Sequence, residues 1–444
     1  MKTLIKNATV MLPDGPSKTS VLLDGATIVE IDPAETVEAD ETVYAYGMHL
    51  LPGVIDAHVH MRDPGGTDKE DLRTGSMAAA KGGVTTILDM PNTSPGTVSQ
   101  KLLEEKLTLA SVKSIVNYGF FIGATLDNIG ELKKAKRTPG IKIYMGSTTG
   151  DLFLKDPAML EAIFAETKLP IAVHAEDENI ITKNFEEFGL TRNVVDHSRI
   201  RTPEAEASAV RKAVALAKEY KHRLHLCHMS SALALAEFED HADLVTAEVT
   251  PHHLLLNESD YMNLGTLAQM NPALKSAADN AALLQALLDD QIQIVATDHA
   301  PHRYEDKCQR YPDSPSGVPG VETSLPLMLD LVAKEKCTLE DVVHWMCEGP
   351  ALVWDIMEKG RIEVGYDADL VLVDMNKTMA IRGPHMQTKC RWTPFEGREV
   401  TGWPVRTWVC GKEVYREGEF DVSRPGIEVM FEHSRGGYWA GIDG

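Results

Sequence analysis

The feature that most restricts this chain is a repeat of pattern rather than of sequence. From Leu51 onward, eight short apolar runs (GVIDAHVH, GVTTILDM, VNYGFFIG, IKIYMG, LPIAVHAE, RLHLCHMS, LVTAEVT and QIQIVATDHA) are separated by stretches of helical character. Strands that alternate with helices in this way build a parallel sheet, and eight of them are what a (β/α)8 TIM barrel requires. The clearest helix lies between the fifth and sixth runs. Thr202 can cap it, Pro203 fits its first turn, and EAEASAVRKAVALAKEYK is rich in strong helix formers with Val210 and Val214 on one face.

The flanks read differently. Residues 1–50 alternate β-rich runs (TLIKNATV, SVLLDGATIVEI, TVYAYGMHL) with Gly, Asp and Pro turns, which predicts a few antiparallel strands. After about residue 360 the chain returns to β character in RIEVG, ADLVLVDM and RTWVCGKEVYREGEF, with a hairpin turn expected at Gly411-Lys412. The expected organisation is therefore an α/β barrel over 51–360 and a small composite β domain formed by 1–50 and 361–444. One long segment, 303–320 (RYEDKCQRYPDSPSGVPG), has the composition of a lid.

Charge and cysteine usage exclude several classes of function. Lys+Arg 44 against Asp+Glu 66 gives a net charge of -22, which repels polyanions, so no nucleic-acid partner is expected. A small anionic substrate would need a local basic pocket. The six cysteines are scattered without a CxxC pair, which reads as free thiols in a reducing compartment. The stretch MKTLIKNATVMLPDG lacks the long apolar run of a signal peptide, so none is expected, and no run approaches the ~20 apolar residues that span a bilayer. A cytoplasmic protein without a membrane partner is expected.

The ends of the apolar runs carry chemistry. His58 and His60 are two apart on one strand, so both imidazoles point the same way and can reach one metal, and Arg62 continues that parity. His174 follows LPIAV, His228 follows RLHLC, and Asp298 follows IVAT. A barrel gathers the C-terminal ends of its strands into one site, so these residues form a candidate metal centre. His225 and His228 have opposite parity, and His228, nearer the strand end, is the one expected to face the centre. His252, His253 and His299 read as packing or supporting histidines. Lys142 lies between Ile141 and Ile143, where burial favours the neutral amine. Such an amine can take up carbon dioxide, and the carbamate could bridge two cations; alternatively, the side chain snorkels to solvent.

The segment LPGVIDAHVHMRDPGGTDKEDLRTGSMAAAKGGVTTILDMPNTSP resembles the opening barrel segment of dihydroorotases in the amidohydrolase superfamily. The resemblance extends through IKIYMGSTTG, VHAEDE, LCHMSSA, TPHHLLL, MNPALKS, ATDHAPH and SGVPGVET, nearly the whole barrel. It implies a two-zinc site in which His58, His60 and Asp298 hold one ion and His174 and His228 the other, bridged by carboxylated Lys142 and a hydroxide. Asp298 would also shuttle the proton. Arg62 and Asn92 match substrate-carboxylate binders, Asn271 and His302 match further substrate contacts, and Thr148 matches a residue of a substrate-closing loop. The implied reaction is the reversible closure of N-carbamoyl-L-aspartate to (S)-dihydroorotate, in a homodimer.

MNPALKS departs from the family pattern, with Ala273 and Lys275 where many relatives read Pro and Arg. Some dihydroorotases bridge their metals through an aspartate, a role for which Asp151 is close enough in sequence. The rival readings are a hydantoinase, dihydropyrimidinase or allantoinase, and an inactive dihydroorotase-like scaffold. The first group acts on rings without the α-carboxylate that Arg62 and Asn92 would serve; the second would not need an intact ligand set.

Overall fold

The structure, a computed structural model, describes residues 1–147, 152–188, 191–239 and 244–439. Each of the eight apolar runs forms one barrel strand: β1 Val54–Val59, β2 Val84–Asp89, β3 Asn117–Phe120, β4 Ile141–Tyr144, β5 Ile171–His174, β6 Leu224–Leu226, β7 Val245–Val249 and β8 Ile294–Val295. All neighbouring pairs are parallel, and the short strand Ile122–Gly123 carries the line of β3 on to β4. The ring closes where Val59 bridges His299 and where Asp56 of β1 accepts hydrogen bonds from Thr297 N at 3.1 Å and Thr297 Oγ1 at 2.6 Å. Every residue of β1 to β5 is buried, because the strands face packed side chains inside the barrel and helices outside it. Trp354 plugs the interior, meeting Phe121 edge-on at 4.9 Å and His225 at 4.9 Å between ring centroids.

The helix between β5 and β6 runs over Pro203–Tyr220, with the Thr202 side chain accepting from Ala205 N and Pro203 in the first turn. Val210 and Val214 are both buried against the barrel wall. No helix among the described residues is long and apolar enough to cross a membrane.

Both chain ends join one nine-stranded sheet. Lys2–Leu12 is the third strand from one edge, antiparallel to Gly15–Asp24, which pairs in turn with Thr27–Ile31. The expectation of purely antiparallel strands in 1–50 needs correction. Glu41–Tyr44 and His49–Pro52 run parallel to Lys2–Leu12. Alternating burial tells which face of a strand is covered but not which way its partner runs, and the intervening hairpin supplies the crossover that a parallel return needs. His49–Pro52 then pairs with Leu370–Ala380, which leads on to Glu399–Val409 and Lys412–Arg416. The hairpin turn falls one residue earlier than expected. Cys410 and Gly411 occupy its two central positions with φ of 47° and 72°, both in the left-handed region that a type I′ turn demands, and Lys412 already belongs to the next strand.

The segment 303–320 is bound into the body. It contains the helix Tyr304–Lys307, and the fully buried Lys307 donates through Nζ to the carbonyls of Gln269 and Pro315, both at 2.8 Å.

Candidate metal and substrate site

At the C-terminal mouth of the barrel, His58, His60, Arg62, Asn92, Tyr144, His174, His228, Asn271 and Asp298 line one cleft of about 360 Å³ counted with its open mouth. Eight of the ten residues singled out in the sequence face it; Lys142 and His302 do not line it directly.

The donor atoms fall into two adjoining groups. Asp298 Oδ1 lies 2.9 Å from His60 Nε2 and 3.3 Å from His58 Nε2. Across the cleft His174 Nδ1 meets His228 Nε2 at 2.9 Å, and the rings of His58 and His228, 5.3 Å apart, join the two groups. Three of the four rings are anchored through their other nitrogen: His58 Nδ1 on the carboxylate of Glu248, His60 Nδ1 on Asn92 Oδ1 at 2.7 Å, and His174 Nε2 on Glu176 Oε2 at 3.0 Å. An N–H fixed on an oxygen leaves the opposite lone pair directed into the cleft, which is how proteins present histidine to a divalent metal. The donor set therefore fits a metal cofactor.

Electrostatics support the same reading. Burial holds His58 below its usual pKa, and it does the same for His174 and His228. Asp298 is held well below the usual carboxylate range: burial opposes its ionisation, and the imidazoles of His58 and His60 outweigh it. Lys142 is fully buried beneath the cleft, with Nζ 2.7 Å from Cys227 Sγ. No carboxylate pairs with it among the described residues.

Arg62 adopts a φ of 59°, and its Nε donates to the Pro301 carbonyl at 3.2 Å. It forms no ion pair among the described residues. Asp63 is taken by Lys113 at 2.8 Å, and Glu70 by Thr74, Thr388 and the Lys389 backbone. His302 stands one layer behind: its Nε2 lies 3.3 Å from Arg62 Nη2 and 3.0 Å from the Ser316 carbonyl. Asn271 reaches the cleft with its Oδ1 3.1 Å from His197 Nε2, and burial together with Arg201 pushes His197 down to about 3, so that this ring is neutral. Lys275 buries its ammonium on the Ala273 carbonyl at 2.7 Å. Thr148 and Asp151 lie outside the described residues.

Three residues of the site were not singled out from the sequence. Glu176 stands two residues after His174, and Tyr144 two after Lys142, so strand parity alone could have flagged both. Glu248 is an acid inside the apolar run LVTAEVT. It also accepts from His225 Nε2 at 3.2 Å, so His225 supports the site from beneath while His228 faces it.

The Amidohydrolase family matches residues 49–414, and the chain belongs to that family. The chain is 37% identical over 404 residues to a dihydroorotase of Methanothermobacter thermautotrophicus, covering 89% of this chain and 91% of that protein. It is 40% identical over 371 residues to a dihydroorotase of Halobacterium salinarum, covering 82% and 86%. Among solved structures, the L-hydantoinase (dihydropyrimidinase) from Arthrobacter aurescens superposes with a TM-score of 0.92 at 29% identity, covering 96% of this chain and 98% of that one. The expected TIM barrel with its β domain is thus the fold of the relatives, and the chain is a hydrolase of cyclic amides that uses a metal cofactor.

Proposed function

We propose that this chain is a dihydroorotase, interconverting N-carbamoyl-L-aspartate and (S)-dihydroorotate. The observation that carries the choice among cyclic amides is Arg62, a guanidinium on the cleft wall that forms no ion pair among the described residues. Dihydroorotate brings a ring carboxylate that such a group can grip with two parallel charge-assisted hydrogen bonds, whereas dihydrouracil, hydantoin and allantoin bring none in that position. The identity to dihydroorotases supports the same choice over the hydantoinases, with which the chain shares its fold.

In this reading His58, His60 and Asp298 would hold one zinc, His174 and His228 a second, and Lys142, carboxylated on Nζ, would bridge them. The burial of Lys142 without a carboxylate partner among the described residues supports that modification. When bound, such a pair supplies a hydroxide nucleophile near neutral pH and polarises the amide carbonyl. The chain's own residues do the rest. Arg62, steadied by His302 and the Pro301 carbonyl, binds the substrate carboxylate. Asn92 and Asn271, both lining the cleft, orient the ring. Asp298 accepts the proton released on attack and passes it to the departing amide nitrogen; in ring closure it runs the other way. Six unpaired cysteines support a reducing, cytoplasmic setting, and a homodimer is the commonest assembly for such an enzyme.

Turnover of dihydroorotate, dihydrouracil, hydantoin and allantoin, with zinc quantified in the same preparation, tests this reading. Dihydroorotate should lead, at about two zinc ions per chain. Faster turnover of dihydrouracil, hydantoin or allantoin would reverse the choice, and a metal-free, inert protein would mark a scaffold.

A further inference from the structure

Tyr144 closes β4 two residues after Lys142, on the same face of the strand. Its ring stands between Lys142, whose Nζ lies 5.4 Å from the ring centroid, and His174, whose ring centroid is 6.2 Å away. The side chain lines the cleft yet is only 4% exposed, and its hydroxyl is shielded from solvent with no hydrogen-bond partner among the described residues. Polar atoms of other residues lining the cleft are already engaged: His174 Nδ1 with His228, His174 Nε2 with Glu176, and Asp298 Oδ1 with His60. A buried hydroxyl left unpaired is costly, and native proteins retain one chiefly where something outside the chain completes it.

We propose that Tyr144 is a catalytic residue whose hydroxyl donates a hydrogen bond to the carbonyl oxygen of the amide being opened. The assignment rests on the reading of this cleft as a cyclic-amide site. The carbonyl oxygen is chosen over the carboxylate because Tyr144 stands beside His174 and Lys142 and is a neutral donor, whereas the charged Arg62, backed by His302 and Pro301, is the better match for a carboxylate. As the hydroxide oxygen bonds to the carbonyl carbon, the carbonyl electron pair moves onto oxygen, and the Tyr144 hydrogen bond strengthens while the phenol keeps its proton. On collapse the carbonyl reforms, the C–N bond breaks, and the nitrogen leaves with the proton carried by Asp298. A donor aimed at developing negative charge in a buried site acts on the transition state more than on bound substrate.

The test is Tyr144→Phe, which removes one oxygen and keeps the ring, measured in both directions on zinc-loaded enzyme with metal content and melting temperature recorded. The expected result is a fall in kcat on the order of 10²-fold in both directions, with KM changed less than about threefold and zinc and melting temperature as in the wild type. A kcat within about twofold of wild type per metal-loaded molecule, or a change confined to KM, overturns the proposal. So does a lowered melting temperature with normal kcat, which would leave the hydroxyl a role in folding alone. If the wild type prefers another cyclic amide, the substrate reading fails on its own, and the same kcat loss is expected on that amide.

Discussion

Replacing Glu248 by Gln isolates the residue that ties the two halves of the site together. Its Oε1 receives His58 Nδ1–H and the His228 backbone N–H, the latter at 3.2 Å, while its Oε2 receives His225 Nε2–H at 3.2 Å. One carboxylate thus touches a residue of each donor group, the ring of His58 and the backbone of His228. Glutamine keeps the shape but has a single accepting oxygen, so at least one of these donors would face an N–H. An unpaired buried donor costs about 1–3 kcal/mol, and the surviving bond to His58 loses the charge assistance that makes such bonds roughly twice as strong as neutral ones. Loss of an orienting partner typically weakens metal binding about 10–100-fold, which is about 1.4–2.7 kcal/mol and falls in the same range. Competition for zinc against a chromophoric chelator should show that loss, while kcat at saturating zinc falls less than about tenfold. Zinc affinity within about twofold of the wild type would refute the reasoning, because His58 would then be oriented by something other than Glu248.

Two further expectations follow from single residues. Lys142→Ala should lose metal and activity, and short carboxylic acids should restore part of both by standing in for the carbamate; unchanged turnover would end that assignment. His344, at the opposite end of the barrel, lies 3.4 Å from Asp290 and 3.7 Å from Glu348, and these acids raise it to about 9 against burial. A raised histidine stabilises the fold fully below its ordinary value of about 6.5, and that contribution disappears as pH climbs through about 9. The decline in melting temperature between about pH 7 and pH 10 should therefore be shallower in His344→Gln, and equal slopes would contradict it.

Much of the barrel was legible because each strand is an uninterrupted apolar run, and much of the cleft because His58, His174, His228 and Asp298 each end one. Parity separated His225 from His228 correctly in direction. The supporting layer was harder to read. Glu248 and Glu176 are acids whose partners lie on other strands or on side chains that parity alone does not rank. His302 was expected to touch substrate, yet it sits behind Arg62, a depth that spacing along the chain does not encode. The segment 303–320 looked like a lid by composition, but its fate turned on Lys307, whose two carbonyl partners belong to separate loops. Strand direction in residues 41–52 was equally hidden, since the partner is chosen by the route of the chain rather than by the strand's own residues.

The sheet that unites Lys2–Leu12 and His49–Pro52 with Leu370–Ala380 has a consequence for how the molecule comes into being. During synthesis, His49–Pro52 must wait for more than three hundred further residues before its outer neighbour leaves the ribosome. Contacts so distant along the chain are slow to form, and an unpaired strand edge invites association with other chains in the meantime. The barrel is thus assembled between two halves of a clasp that cannot shut until almost everything else has been made.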